Sequence, residues 1–167
     1  MEVKLTPQQF VATYKPMAIA CMKKTGLHYH ATLTQAALES GWGQYAIGNN
    51  FFGIKDFDGV NGDEQLLTTT EYLDTPNAKF PQIISIVKRG AKWLYTVKDW
   101  FKKYPTPEES FIKHAQFFVE NGRYYKAWAH RSDAEVFLRE VAKAGYATAP
   151  DYENALISTL KWFQKNS

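Results

Sequence analysis

The sequence predicts an α+β fold that is mostly helical, with a small antiparallel β-lobe inserted between helices. Helix start signals recur along the chain, and each is followed by apolar residues at helical spacing. Between residues 56 and 104, turn signals and short β-branched or aromatic runs replace that spacing. A chain of 167 residues is long enough to bury about 70% of the surface it exposes when unfolded. We therefore expect one domain over residues 1–167.

Five helices are predicted in order along the chain. The first begins at the capping box of residues 6–9, and the second carries an apolar segment that ends at Gly41. The third begins at residues 106–107 and the fourth at residues 132–133, where threonine or serine precedes proline or acidic residues. Pro150 begins the fifth helix. The residues that the fifth helix is expected to bury are Tyr152, Leu156, Leu160 and Phe163.

The predicted lobe covers about residues 56–104 and opens with turn signals at Asp58-Gly59 and Asn61-Gly62. Strand candidates follow at residues 66–72, 83–87 and 93–97. These runs are rich in threonine, β-branched or aromatic residues, which favour strands. The sequence contains no internal repeat, linker or low-complexity segment, so we expect the lobe to belong to the same domain as the helices.

Cysteine and histidine usage favours neither a metal site nor a thiol enzyme. Cys21 is the single cysteine, and it falls at an apolar position of the first helix, where a small buried residue is expected. A cysteine protease that pairs Cys21 with His28 or His30 is the alternative, but no oxyanion or partner motif accompanies it. The histidines show no metal-binding spacing beyond a weak His-x-His pair. We predict no metal and no cofactor.

Glu39 is the most informative residue of the sequence. Its helix is otherwise apolar and is followed at once by a loop dense in glycine, asparagine and aromatic residues, including Trp42, Phe51 and Phe52. The negative end of the helix dipole and nearby aromatic rings both disfavour an ionised carboxylate and raise its pKa. An ordinary solvated glutamate is the alternative. A carboxylic acid that keeps its proton near neutral pH is what a glycosidase needs to protonate a leaving oxygen.

Three segments agree, in order, with the pattern of one enzyme family. The first is Ala37–Gly43 with Asn49–Lys55, the second is Thr68–Tyr72, and the third is Ala144–Tyr152. They resemble the signature of the bacterial peptidoglycan β-N-acetylglucosaminidases of glycoside hydrolase family 73, a group that includes the flagellar rod-associated autolysin domain. The resemblance spans residues 35–152 and implies a lysozyme-like fold, in which a helical body and a β-lobe form the two sides of a cleft.

A second carboxylate normally assists cleavage of a glycosidic bond. Glu71 stands at the position that matches the second glutamate of the family, so the resemblance implies that it assists Glu39. A strand-surface role is the alternative for Glu71, and competing carboxylates stand nearby in the sequence. They are Asp56, Asp58, Asp63 and Glu64. Glu71 could act as a base for water, as a nucleophile or charge stabiliser, or as a group that orients the acetamido group of the substrate.

Substrate-binding candidates lie at or beside breaks in the predicted helices, where a ring can face a sugar. Tyr146 is the leading candidate because the family motif places a tyrosine there near the acid. Asn50 could orient an N-acetyl group, although Asn-Asn is also ordinary turn chemistry. The other candidates are Trp42, Phe52 and Tyr124. Packing in the core is the alternative for each of these rings.

The chain departs from the family pattern in three places. Phe51 replaces a leucine, which is a conservative change. Ala149 replaces an aspartate, which removes a possible helix-start carboxylate next to the Tyr146 loop. Residues 95–104 enlarge the lobe with additional aromatic residues, and these could alter which wall fragments fit.

The sequence therefore predicts a peptidoglycan hydrolase that cleaves the glycan strand after N-acetylglucosamine. A lytic transglycosylase or muramidase on the same fold, which would cut after N-acetylmuramic acid, is one alternative. A non-catalytic glycan-binding or tail module is another, and the intact Glu39-Ser-Gly-Trp-Gly segment argues against it.

Charge and hydropathy define the expected surroundings of the enzyme. The net charge of +3 and the pI near 8.8 favour an anionic surface such as the bacterial wall, while scattered lysines do not indicate a nucleic acid. No run reaches the roughly 18 apolar residues of a membrane span, and the N-terminus lacks an apolar leader. We expect a monomer that acts on the wall as a secreted, periplasmic or phage-delivered protein.

Overall fold

The main regular elements are six α-helices and three strands, with two single-turn 3₁₀-helices besides, in residues 4–167, which are the residues that the computed structural model describes. The expectation that the N-terminus lacks an apolar leader includes residues 1–3, which lie outside the described residues. The elements in chain order are α1 (Pro7–Thr25), α2 (Tyr29–Ser40), β1 (Glu64–Leu73), β2 (Gln82–Arg89), β3 (Lys92–Lys102), α3 (Pro107–Glu120), α4 (Tyr125–Ala129), α5 (Ala134–Lys143) and α6 (Tyr152–Asn166).

The fold has two compact units. The helical unit consists of the described residues up to Phe52 together with Tyr104–Ser167, and the strands form the unit Gly53–Lys103. The second unit corresponds to the lobe that was predicted over about residues 56–104. The α+β class, mostly helical with a small antiparallel sheet inserted in the chain between helices, is confirmed.

The first helix begins as its sequence predicts. The backbone N–H of Gln9 donates to Thr6 Oγ1 at 3.1 Å, and the backbone N–H of Thr6 donates to Gln9 Oε1 at 2.8 Å. This reciprocal capping box satisfies two donors that a helix start leaves unpaired. Cys21 is buried in this helix, as expected, and burial raises the pKa of its thiol. A thiol held neutral is a poor nucleophile, which removes support from the cysteine-protease alternative.

Helix α2 is the most enclosed element of the helical unit. Each residue from Ala31 to Ala37 is buried, and the helix packs against α1, α5 and α6. Three of these buried residues, Thr32, Thr34 and Gln35, carry polar side chains. A helix that is enclosed on most of its surface holds its last turn rigidly, and that turn carries Glu39.

The last two helices agree with the sequence except at their boundaries. Asp133 caps α5 by accepting from the backbone N–H of Val136 at 3.1 Å. Helix α6 starts at Tyr152 with Asp151 as its N-cap residue, so the predicted start at Pro150 is wrong by two residues. The predicted inward residues of α6, Tyr152, Leu156, Leu160 and Phe163, are all buried. Helix α4 was not predicted, because its five residues are too few to show a helical period.

The three strands form one antiparallel sheet in the order β1-β3-β2. The central strand β3 runs to Lys102, beyond the predicted end at Val97, because inward-facing residues continue as far as Phe101. Tyr95 is fully buried, and its hydroxyl donates to the carbonyl of Thr75 at 2.6 Å. The segment that enlarges the lobe relative to the family pattern is therefore mostly the second half of this central strand.

None of the helices in residues 4–167 combines the length and the apolar composition that crossing a membrane would require.

Candidate active site

The end of α2 presents Glu39 next to a sharp change of chain direction. Gly41 caps the helix at φ 57°, and Trp42 also has a positive φ of 58°. A Cβ atom at Gly41 would stand 2.9 Å from a ring carbon of Tyr45, so this position requires glycine for both its conformation and its space. The hydroxyl of Ser40 accepts from the backbone N–H of Gly43 at 2.9 Å and supports the turn.

Glu39 is open to solvent and yet crowded by protein. Its side chain is exposed, whereas the atoms packed around its carboxyl group desolvate it enough to raise its pKa. Both observations fit a carboxyl group that is open on one side and enclosed on the others. A raised pKa is the change expected for a proton donor.

Tyr152 is the hydrogen-bond partner of Glu39. The buried hydroxyl of this first residue of α6 donates to Glu39 Oε1 at 2.9 Å. The hydrogen bond favours the ionised form and so opposes part of the effect of burial on the Glu39 pKa. In turn, burial and then the charge of Glu39 raise the pKa of Tyr152. Tyr152 is therefore neutral at physiological pH and available as a donor.

Tyr146 completes a pair of stacked phenols beside the acid. Its ring stacks on that of Tyr152 with centroids 6.1 Å apart and planes inclined by 13°. Burial, and after it the charge of Glu39, raises the pKa of Tyr146. The structure thus places two predicted residues, Glu39 and Tyr146, close enough to interact electrostatically with each other and with Tyr152.

The ring of Trp42 packs among aromatic residues of other helices. It lies 5.5 Å from the Phe10 ring, 5.3 Å from the Trp162 ring and 5.4 Å from the Phe163 ring, centroid to centroid. The side chain is half-buried. These contacts give Trp42 a packing role, and its proposed contact with a sugar stays a prediction.

Phe52 and Tyr124 are enclosed by protein, which disfavours the expected stacking of their ring faces on a sugar. Phe52 stacks on the buried ring of His114, with centroids 3.7 Å apart and planes inclined by 9°. Tyr124 is 2% exposed, and its hydroxyl accepts from Arg123 at 2.9 Å. Asn50 is 5% exposed. Sugar binding by these three residues remains a prediction that this arrangement does not favour.

Glu71 lies on β1, where it pairs across the sheet with Tyr95. Its Oε1 accepts from Lys55 Nζ at 2.6 Å, and the same ammonium contacts Asp99 Oδ2 at 3.1 Å. Burial lowers the pKa of Lys55, but the bonds to these two carboxylates outweigh that effect and raise it. Lys55 therefore stays charged and fixes one oxygen of Glu71.

The competing carboxylates of the lobe are occupied by structural contacts. Lys102 Nζ forms ion pairs with Asp56, Asp58 and Asp63, and Glu64 Oε2 accepts from two backbone N–H groups of the turn before it. The three aspartate oxygens lie within 4.8 Å of one another, as metal ligands would. However, the Lys102 ammonium contacts all three carboxylates and offsets one of their negative charges, and their bonds raise its pKa. The assisting role of Glu71 stays a prediction.

The sequence did not predict the hydrogen bonds that Tyr152 and Gln35 form at this site, although Tyr152 was one of the aromatic residues expected beside a break. Gln35 Nε2 donates to the Tyr152 hydroxyl at 3.5 Å, and Tyr152 lies 113 residues from Glu39 in the chain. A signal existed for both. Tyr152 closes the third family segment, and Gln35 is a polar residue one helical turn before Glu39 on an apolar helix.

Comparison with known proteins identifies the family. The family model named Glucosaminidase, described as mannosyl-glycoprotein endo-beta-N-acetylglucosaminidase, matches residues 15–165. The chain belongs to this glucosaminidase family. The resemblance to glycoside hydrolase family 73 is confirmed.

Individual members of the glucosaminidase family show the same relationship. The chain is 34% identical over 159 residues to peptidoglycan hydrolase FlgJ of Vibrio parahaemolyticus, with 91% of this chain and 46% of the relative covered. It is 30% identical over 132 residues to exo-glucosaminidase LytG of Bacillus subtilis, with 75% and 40% covered. The chain thus spans less than half the length of the curated relatives it matches.

A solved structure agrees with the fold of this glucosaminidase domain. The glycoside hydrolase domain of Salmonella typhimurium FlgJ superposes with a TM-score of 0.73 at 27% identity, and the match covers 96% of this chain and 90% of that one. The predicted lysozyme-like fold is confirmed.

The raised pKa of Glu39 predicts a pH-dependent stability. Because the folded-state pKa lies above the unfolded value, folding with an ionised Glu39 costs free energy that is absent at low pH and grows as pH rises through the folded pKa. Glu39→Gln removes this cost. The free energy of unfolding of the variant, measured by chemical denaturation, should therefore rise relative to the parent as pH increases above about 4, where the glutamate of the unfolded chain begins to ionise.

Glu120→Gln is the matched control, because Glu120 is exposed at the end of α3. The Glu39→Gln difference should change with pH by more than the Glu120→Gln difference. A Glu39→Gln difference that is independent of pH would show that the fold does not disfavour the Glu39 carboxylate.

Proposed function

We propose that this domain is a peptidoglycan hydrolase that cleaves the glycan strand after N-acetylglucosamine, as an endo-β-N-acetylglucosaminidase. The observation that carries the proposal is Glu39, a solvent-accessible carboxyl group with a raised pKa beside two neutral phenols. Membership of the glucosaminidase family supports it. The names of the relatives, which include a peptidoglycan hydrolase and an exo-glucosaminidase, support the substrate class.

In this proposal Glu39 acts as the general acid. Its raised pKa increases the fraction of the group that is protonated at a given pH, and the proton passes to the glycosidic oxygen as the bond to that oxygen breaks. The positive charge that develops on the sugar ring then needs a negative group or a nucleophile. A solvent-open position is required for this role, because the acid must contact the substrate.

We assign that assisting role to Glu71. The assignment rests on its match to the second family glutamate and on the structural contacts that occupy its competitors. Lys55 fixes Glu71 Oε1, which leaves Oε2 to orient a water molecule or the acetamido group of the substrate. Nucleophilic attack by Glu71 is the remaining route.

Two other functions are distinguished by experiment. A lytic transglycosylase or muramidase would leave a different sugar at the new end, and it needs only one acid. A glycan-binding module would not cleave the wall at all. We further propose that the domain acts as a monomer on the bacterial cell wall, reached by secretion, in the periplasm or by phage delivery.

Loss of the acid tests the proposal first. Glu39→Gln keeps the shape of the side chain but cannot donate a proton, so the rate of wall digestion should fall by at least about a hundredfold. Turbidity loss of purified cell walls measures the rate, and circular dichroism checks the fold. Glu120→Gln serves as the control and should retain parental activity. Near-parental lysis by folded Glu39→Gln would remove Glu39 from the chemistry.

The new sugar ends test the bond specificity. Cleavage after N-acetylglucosamine leaves a reducing N-acetylglucosamine, so borohydride reduction and mass spectrometry of the digest should detect reduced N-acetylglucosamine. Muramitol or anhydro-muramic ends would establish the rival chemistry instead. Internal cleavage should yield oligosaccharides early in digestion, whereas an exo-enzyme would release short products from the first time points.

The assisting role predicts separate behaviour for the two carboxylates. Glu71→Gln should lower the rate strongly but leave the alkaline limb of the pH profile in place, because that limb reports Glu39 losing its proton. Asp63→Asn and Glu64→Gln are the matched lobe variants and should affect activity less. If Glu71→Gln stays within a few-fold of the parent, Glu71 is not the assisting group, and a substrate-assisted or single-acid mechanism gains support.

A further inference from the structure

Helix α2 and the first residue of α6 meet in a chain of three polar side chains. Gln35 and Glu39 stand one helical turn apart, so their side chains project from the same face of α2. The Tyr152 hydroxyl lies against both. It receives a hydrogen bond from Gln35 Nε2 at 3.5 Å and donates one to Glu39 Oε1 at 2.9 Å.

The donor and acceptor atoms of these three side chains determine which way each hydrogen bond points. An amide nitrogen can only donate, so the Tyr152 oxygen acts as acceptor towards Gln35. The single hydroxyl proton of Tyr152 is then directed at Glu39 Oε1. When Glu39 is neutral, an Oε1 atom that already accepts a hydrogen bond is the less favourable site for the acid proton, and Oε2 carries it.

From this geometry we propose that Gln35 and Tyr152 are positioning residues, which form a directional relay that places the acid proton on Oε2 of Glu39. The inference rests on the proposed function, because the relay is useful only if Glu39 acts as a general acid. A general acid is effective only when its proton lies on the oxygen that faces the leaving group.

The loss of stability that the buried Gln35 side chain causes supports a functional role for this residue. The residue is fully buried, and its Oε1 atom has no protein hydrogen-bond partner among the described residues. A buried unpaired oxygen destabilises the fold, and an apolar side chain of similar volume would avoid that penalty. The relay to Tyr152 gives this position a reason to be polar.

The titratable groups that share an electrostatic interaction with Glu39 are Tyr152 and Tyr146. Both are held neutral by burial, so neither changes charge while Glu39 titrates. Several charged side chains on the elements packed against α2 form ion pairs with other residues. These pairs are Lys24–Glu108, Arg139–Glu135, Arg139–Glu153 and Lys143–Glu140.

Tyr152→Phe tests the relay because it removes only the hydroxyl group. Loss of the donor to the ionised form should lower the acid dissociation constant of Glu39 on the order of tenfold. The ¹³C chemical shift of the Glu39 carboxyl carbon, followed by NMR without substrate, reports that constant directly. With cell walls as substrate, kcat on the low-pH plateau should fall about tenfold, while KM stays within twofold and the alkaline limb moves to higher pH.

Gln35→Met provides a second variant that is expected to fold well. It removes the buried amide, so its melting temperature should equal or exceed that of the parent. Its Glu39 titration should still move in the same direction as in Tyr152→Phe, by less. The double variant Gln35→Met/Tyr152→Phe leaves no unpaired amide and covers the case in which Tyr152→Phe alone is unstable. Tyr29→Phe is the control, because Tyr29 stands at the opposite end of α2.

The outcomes separate the relay from the proposed function. A Glu39 titration that is identical in the parent and the Tyr152→Phe variants overturns the relay whatever the enzyme cleaves. A shifted titration with an undiminished kcat plateau overturns the placement of the proton. Absence of wall cleavage by the parent would contradict the proposed function alone, because the NMR titration needs no substrate.

Discussion

The enclosure of α2 is the constraint on which the rest of the site depends. The helix is buried from Ala31 to Ala37 and is held by α1, α5 and α6, so its final turn cannot shift without disturbing the packing of the helical unit. The left-handed conformations of Gly41 and Trp42 then redirect the chain immediately after Glu39. The carboxyl group is thereby exposed to solvent while remaining crowded by protein, and this combination raises its pKa.

The lobe is stabilised differently from the helical unit, because single ammonium groups in it bind several carboxylates. Lys102 forms ion pairs with three aspartates of residues 56–63, and Lys55 joins Glu71 to Asp99 on neighbouring strands. These shared cations allow the lobe to hold many acidic residues close together. They also distinguish Glu71, which lies on β1 and is bound by Lys55, from the three aspartates before β1, which are bound by Lys102.

The sequence was sufficient to predict those features that depend on interactions between residues close together in the chain. The capping box of α1, the start of α3 and the buried face of α6 depend on residues a few positions apart, and the sequence predicts them. The orientation of an aromatic ring depends instead on contacts distant in the chain. Trp42 and Phe52 stand at breaks where exposure was expected, yet Trp162, Phe163 and His114 cover them. The Tyr152 bond to Glu39 joins residues 113 positions apart, so spacing alone could not predict it.

The central claim is that the side chain of residue 39 protonates the glycosidic oxygen of an N-acetylglucosamine residue. The most direct measurement is a crystal structure of the Glu39→Gln variant with an uncleaved peptidoglycan tetrasaccharide of alternating sugars. We expect the oxygen that links N-acetylglucosamine to the following sugar to lie within hydrogen-bond distance of the residue 39 side chain. A muramic acid linkage at that position, or a saccharide bound away from residue 39, would contradict it.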